Sequence, residues 1–166
     1  MSKIKLNDLS KHQAQQELTH CCVAPRWVEG MMALWPFNTQ EQIFTSAETV
    51  WQQLGESDYL AAFEGHPQIG DLSTLSKKYA ATADKAGHEQ SAMSEADKHT
   101  LEQMIRLNHA YLEKFGFIFI VCATGKSAAQ MLTLIEQRIN NDRDEELMIA
   151  AGEQAKITKI RLEKLL

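Results

Sequence analysis

Phe117-Ile118-Phe119-Ile120-Val121-Cys122-Ala123 is the one stretch of this 166-residue sequence that reads as a buried β-strand. An unbroken apolar run of this length suits a strand covered on both faces. A strand needs a neighbour to satisfy its hydrogen-bond ladder, however, and the sequence offers no second run of the kind. The fold is therefore expected to be all-α. Residues 117–123 then form an extended or irregular connection between helices, with their amides bonded to side chains, water or a ligand.

The flanks of this run agree. Before it, Leu101, Met104, Ile105, Tyr111, Leu112 and Phe115 recur at three- and four-residue steps until Gly116, the pattern of an amphipathic helix and its stop. After it, Ser127 with Gln130 has the spacing of a capping box, and Ala128, Met131, Leu132, Ile135 and Ile139 make a second stripe ending at Asn140-Asn141. A last helix is expected from about Asp144 to the C-terminus. Thr45 with Glu48, and Ser94 with Asp97, also have cap-like spacing. The segment from Ser73 to Met93 tolerates helix but lacks an apolar stripe, which predicts a mobile or looped stretch.

Composition is that of one globular unit: 44% hydrophobic, 23% charged, with no repeat and no low-complexity tract, so residues 1–166 are read as a single compact domain. No apolar run approaches the ~20 residues of a membrane helix, and the start Met1-Ser2-Lys3-Ile4-Lys5 lacks a secretory h-region. Three cysteines, two of them adjacent, make no disulfide framework. The expectation is a soluble cytoplasmic protein. A formal charge of −5 argues against a nucleic-acid footprint, which leaves a small molecule or another protein as partner. Lys164-Leu165-Leu166 is not a peroxisomal address.

Three motif-like fragments lead nowhere. Gly125-Lys126-Ser127 lacks the first glycine of a phosphate loop, since position 120 is Ile120. His88-Glu89 has Ala92 where a zinc-protease helix needs its second histidine. His20-Cys21-Cys22 holds metal-capable atoms, but adjacent helical residues point about 100° apart and no second ligand cluster exists. No metal is expected.

Two settings are more informative. In Phe63-Glu64-Gly65-His66-Pro67 the glycine stops a helix, and the proline keeps the preceding residue out of the α region. An imidazole at the end of such a stiff turn suits acid–base work, although it can equally decorate the turn. Arg161 lies four residues after Ile157 and four before Leu165, so its base runs along an apolar stripe. Its head must either snorkel into water or meet an anion, for which a guanidinium offers two parallel bonds.

These residues fall into an order. Leu6 to Leu9, Trp27-Val28, Trp35-Pro36-Phe37, Ala62-Phe63, His66-Pro67-Gln68-Ile69-Gly70, Glu89-Gln90, Leu107-Asn108, Tyr111, Phe115-Gly116-Phe117, the run Phe119 to Ala123 and Ile157 to Leu162 follow one another through nearly the whole chain. In this order the sequence resembles the 2-oxo-4-hydroxy-4-carboxy-5-ureidoimidazoline (OHCU) decarboxylases, which form (S)-allantoin in urate breakdown. The resemblance implies an all-helical homodimer without metal or organic cofactor, acting on OHCU. It implies His66 and Glu89 as catalytic groups. Pro67, Ala86, Gln90, Phe119, Ile120, Val121, Cys122, Ala123 and Arg161 are implied as substrate-binding positions. Two departures stand out: Ala86 occupies the place of the family's usual serine, and Ile118 that of a proline common in the family. A non-catalytic helical module that binds a small anion or a protein is the competing reading, and it predicts that His66 is replaceable.

Overall fold

The computed structural model describes residues 4–66 and 95–166, and among these every regular element is helical. A short 3-10 turn, Lys5–Asp8, precedes α1 (Lys11–Cys21), α2 (Pro25–Leu34), α3 (Gln40–Gln52) and α4 (Glu56–Phe63). Then come α5 (Glu95–Phe115), α6 (Ala128–Arg138) and α7 (Arg143–Glu163). The all-α expectation holds. Residues 117–123 contain no strand, and Ile120 and Cys122 are buried while Val121 and Ala123 are half-buried. That alternation with a period of two is the mark of an extended chain with one inward face.

Caps explain most boundaries. Ser127 Oγ accepts the Gln130 amide at 3.2 Å while Gln130 Oε1 accepts the Ser127 amide at 2.8 Å, the reciprocal box expected from the sequence. Gly116 sits at φ +81° after Phe115, a conformation that costs a residue with a Cβ. Thr45 differs from expectation: it lies inside α3, whose start is capped by Thr39 through the Gln42 amide at 3.0 Å. The Thr45 hydroxyl bonds back to the carbonyls of Glu41 and Gln42, which removes the need for it to cap. Ser94 lies outside the described residues, so the cap expected there is not placed.

The chain divides into two units. Among the described residues the first holds 4–66, 120–122 and 147–166. Its interior is built from Leu18, Trp27, Met31, Ile43, Phe63 and Ile120, each almost wholly buried. Trp51 Nε1 donates to the Ala151 carbonyl at 3.1 Å and so fastens α3 to α7. Asn7 holds the loop after α2 by a two-way bond, its Nδ2 donating to the Phe37 carbonyl at 2.6 Å and its Oδ1 accepting the Phe37 amide at 2.8 Å.

The second unit holds 95–119 and 123–146 of the described residues, with α5 packed on α6. Its centre is polar at one point. Glu146 is fully buried and takes Arg138 Nε at 2.9 Å, Arg138 Nη2 at 2.5 Å, Asn141 Nδ2 at 3.2 Å and the Tyr111 hydroxyl. A buried carboxylate is tolerated only when paired and hydrogen-bonded in this way. Burial, followed by the bond to Glu146, pushes the Tyr111 hydroxyl far above its ordinary pKa.

Candidate active site

His66 is set by the end of α4. The Gly65 amide bonds the Ala62 carbonyl and the His66 amide the Phe63 carbonyl, each at 3.1 Å, which closes the helix in a tight turn and delivers the imidazole beyond it. Gly65 has an additional reason to be glycine. A Cβ there would stand 2.5 Å from Val23 Cγ2, so the turn presses against the loop after α1 where no side chain fits.

His66 Nε2 lies 2.5 Å from Gln154 Oε1 on α7. Gln154 is 1% exposed, and its own Nε2 donates to Thr158 Oγ1 at 3.0 Å. Thr158 in turn bonds the Cys22 thiol. Burial pushes that thiol up to about 11 and its neighbour Cys21 up to about 12, so both remain protonated at neutral pH.

The adjacent residue of α7 anchors the extended run. Glu153 Oε1 accepts the Cys122 amide at 3.1 Å, and Lys156 Nζ lies 2.6 Å from Glu153 Oε2. At least one amide of the run is thus satisfied by a side chain, as the orphan-strand argument required. Two turns further along α7, the Arg161 Nη1 donates weakly to the carbonyls of His20 and Cys21, at 3.5 and 3.4 Å, at the C-terminal end of α1. Among the described residues no carboxylate lies within ion-pair distance of Arg161. A half-buried guanidinium spent on two long bonds retains donors for an anion.

One face of α7 therefore gathers His66, through Gln154, and Arg161, at positions 154 and 161, while Glu153 alongside holds Cys122. The rise from Gln154 to Arg161 is about 10 Å along the helix axis. All of these belong to the first unit, as do Ile120 and Val121. Phe119 and Ala123 belong to the second. There the Phe119 ring lies 5.3 Å from Tyr111, with the Arg138 guanidinium 4.5 Å above its centre. Pro67, Ala86, Glu89, Gln90 and the segment Ser73 to Met93 lie outside the described residues. A cleft of about 280 Å³ between α3 and α7, lined by Trp27, Phe44, Trp51, Lys156 and Lys159 among others, includes neither His66 nor Arg161.

Gln154, Thr158 and Glu153 were not evident from sequence. For Gln154 and Thr158 a signal was present: Leu147, Ala150, Ala151, Gln154, Thr158 and Leu162 form the buried stripe of α7, so two polar residues occupy core positions. Ile157 is half-buried, and Arg161 borders the stripe.

The profile of the family described as "OHCU decarboxylase" matches residues 7–163. The chain is 34% identical over 151 residues to "Uric acid degradation bifunctional protein TTL" of Arabidopsis thaliana, covering 91% of this chain but 47% of that protein. It is 32% identical over 102 residues to "2-oxo-4-hydroxy-4-carboxy-5-ureidoimidazoline decarboxylase" of Amia calva, covering 61% of this chain and 57% of that one. The chain thus spans about half the length of these curated relatives. Among solved structures, "OHCU decarboxylase in the presence of (S)-allantoin" superposes with a TM-score of 0.72 at 35% identity, covering 90% of this chain and 96% of that one.

Proposed function

Since the chain belongs to the OHCU decarboxylase family, we propose that it decarboxylates 2-oxo-4-hydroxy-4-carboxy-5-ureidoimidazoline to (S)-allantoin and CO2 in urate degradation. What supports this reading is the match of residues 7–163 to that family, together with an imidazole bonded to Gln154 of α7 and, seven residues along the same helix, a guanidinium held only by two long bonds to backbone carbonyls. We read residues 1–166 as one domain that works as a homodimer in the cytoplasm, with OHCU as its small-molecule partner and no nucleic acid or membrane partner. The buried thiols of Cys21, Cys22 and Cys122, none of them in a disulfide, suit a reducing compartment.

The substrate bears a hydroxyl and a carboxylate on C4 and a C=N bond at C5. When the bond from C4 to the carboxylate breaks, its electron pair forms a C4=C5 double bond and the C=N pair passes to nitrogen, which takes a proton. The enol then loses its hydroxyl proton as C5 gains one, and the net change is loss of CO2 and gain of one proton. The substrate supplies its own electron sink, so the protein has to orient, desolvate and deliver protons.

In this reading Arg161 and backbone groups of Phe119 to Ala123 hold the ring and ureido oxygens. The Cys122 amide is already bonded to Glu153, so its part is to fix the run in place. His66 bonds the C4 hydroxyl or carboxylate. Glu89 polarises the same region or relays the proton, and Pro67, Ala86 and Gln90 complete the lining. The test is the decay of freshly generated OHCU with wild-type protein and with His66→Ala. Loss of the acid–base group should slow the catalysed decay by ~10²–10⁴-fold. Equal rates for the two proteins would remove His66 from the mechanism.

A further inference from the structure

We propose that Gln154 is the positioning residue of His66: its amide oxygen holds the Nε2–H and so fixes the tautomer and orientation of the imidazole. This rests on the reading of His66 as the acid–base group. The direction follows from the hydrogen-bond chain. An amide oxygen can only accept, so a ring nitrogen 2.5 Å from Gln154 Oε1 must carry a hydrogen. The opposite orientation of the amide is disfavoured by Thr158, whose Oγ1 receives the Gln154 Nε2–H at 3.0 Å while its hydroxyl faces the Cys22 sulphur.

The chain therefore runs one way, from imidazole to amide to hydroxyl to sulphur, and the three members beyond the imidazole are buried. Gln154 and Thr158 are 1% and 5% exposed, and Cys22 is 1% exposed. A four-residue step places Gln154 and Thr158 on one face of α7, which brings the amide nitrogen within 3.0 Å of the hydroxyl that accepts its hydrogen. A neutral histidine free in water populates both tautomers, whereas here the Nδ1–H form would set a bare Nε2 lone pair against a carbonyl oxygen. Selecting one tautomer in advance removes that choice from the catalytic cycle.

The experiment uses full-length protein with 15N-labelled histidine and long-range 1H–15N correlation spectra of the imidazole rings. The His66 pattern is identified among the six histidines by its loss in His66→Asn. The neutral ring is expected as the Nε2–H tautomer in wild type, and as a mixture in Gln154→Leu, with kcat on OHCU lower by roughly 10–100-fold. Gln154→Glu keeps an acceptor at the same place and should restore both the tautomer and most of kcat, which a merely structural role would not predict. An Nδ1–H pattern in wild type overturns the proposal, as does an unchanged tautomer in Gln154→Leu. The spectra do not depend on activity. A protein with the expected tautomer but no effect on OHCU would sink the decarboxylase reading and leave the positioning intact.

Discussion

Single residues separate into those whose burial follows from apolarity and those that need a partner. Glu146 is the clearest of the second kind, since its carboxylate is fully buried and collects Arg138, Asn141 and Tyr111. Glu146→Gln removes the charge that faces the Arg138 guanidinium, itself 7% exposed. Breaking a buried pair from one side costs about 3–5 kcal/mol, and urea unfolding should register a loss in that range. A change below about 1 kcal/mol would mean that water reaches the cluster. Tyr111 was legible in the sequence as a helix-face aromatic, but its polar partner was not, because a sequence separation of 35 hides the contact between Tyr111 and Glu146. His66 and Arg161 were legible for the opposite reason. Each advertises itself locally, one by the Gly and Pro around it and the other by a charge beside an apolar stripe. Gln154 has neither signal, and only the structure shows what its amide holds.

At the scale of elements, periodicity and capping foretold the stretch from residue 101 to the end of α7 more closely than the part before it. Ser127 and Gln130 form the expected box, whereas Thr45 shows that cap-like spacing inside a longer helix is satisfied by back-bonding instead. Ser127→Ala should therefore cost about 1 kcal/mol, while Thr45→Ala should be close to neutral. Gly152 supplies a test of opposite sign: it lies exposed in the interior of α7, and a Cβ there would meet nothing within 4 Å. Gly152→Ala should stabilise the protein by about 0.5–1 kcal/mol, read from the urea midpoint. Destabilisation would mean that this face of α7 is covered in solution. The extended run was legible as an anomaly, a strand without a partner. The side chain that answers it, Glu153, was not, since nothing local ties residue 153 to the Cys122 amide.

For the whole molecule, the all-α class followed from a single orphan run, and no helix among the described residues is long and apolar enough to cross a membrane. The buried thiols give the protein a pH dependence with a definite sign. Cys21 and Cys22 have an ordinary value of 9.0 and are pushed up to about 12 and about 11 by burial. The folded state thus keeps protons that the unfolded chain has released, and stability falls as pH rises. Tyr111, raised by burial and by Glu146, acts in the same direction at higher pH. The urea midpoint, measured in reductant, should hold steady up to about pH 9 and fall progressively from there towards about pH 12. A flat profile through that window would show that the thiols are open to water. The central claim concerns catalysis, and circular dichroism tests it most directly when OHCU is generated from urate in situ by the two preceding enzymes. With the protein added, the signal of (S)-allantoin should rise at a rate proportional to protein concentration. Decay at the buffer rate to a racemic product, with no net signal, would contradict the account.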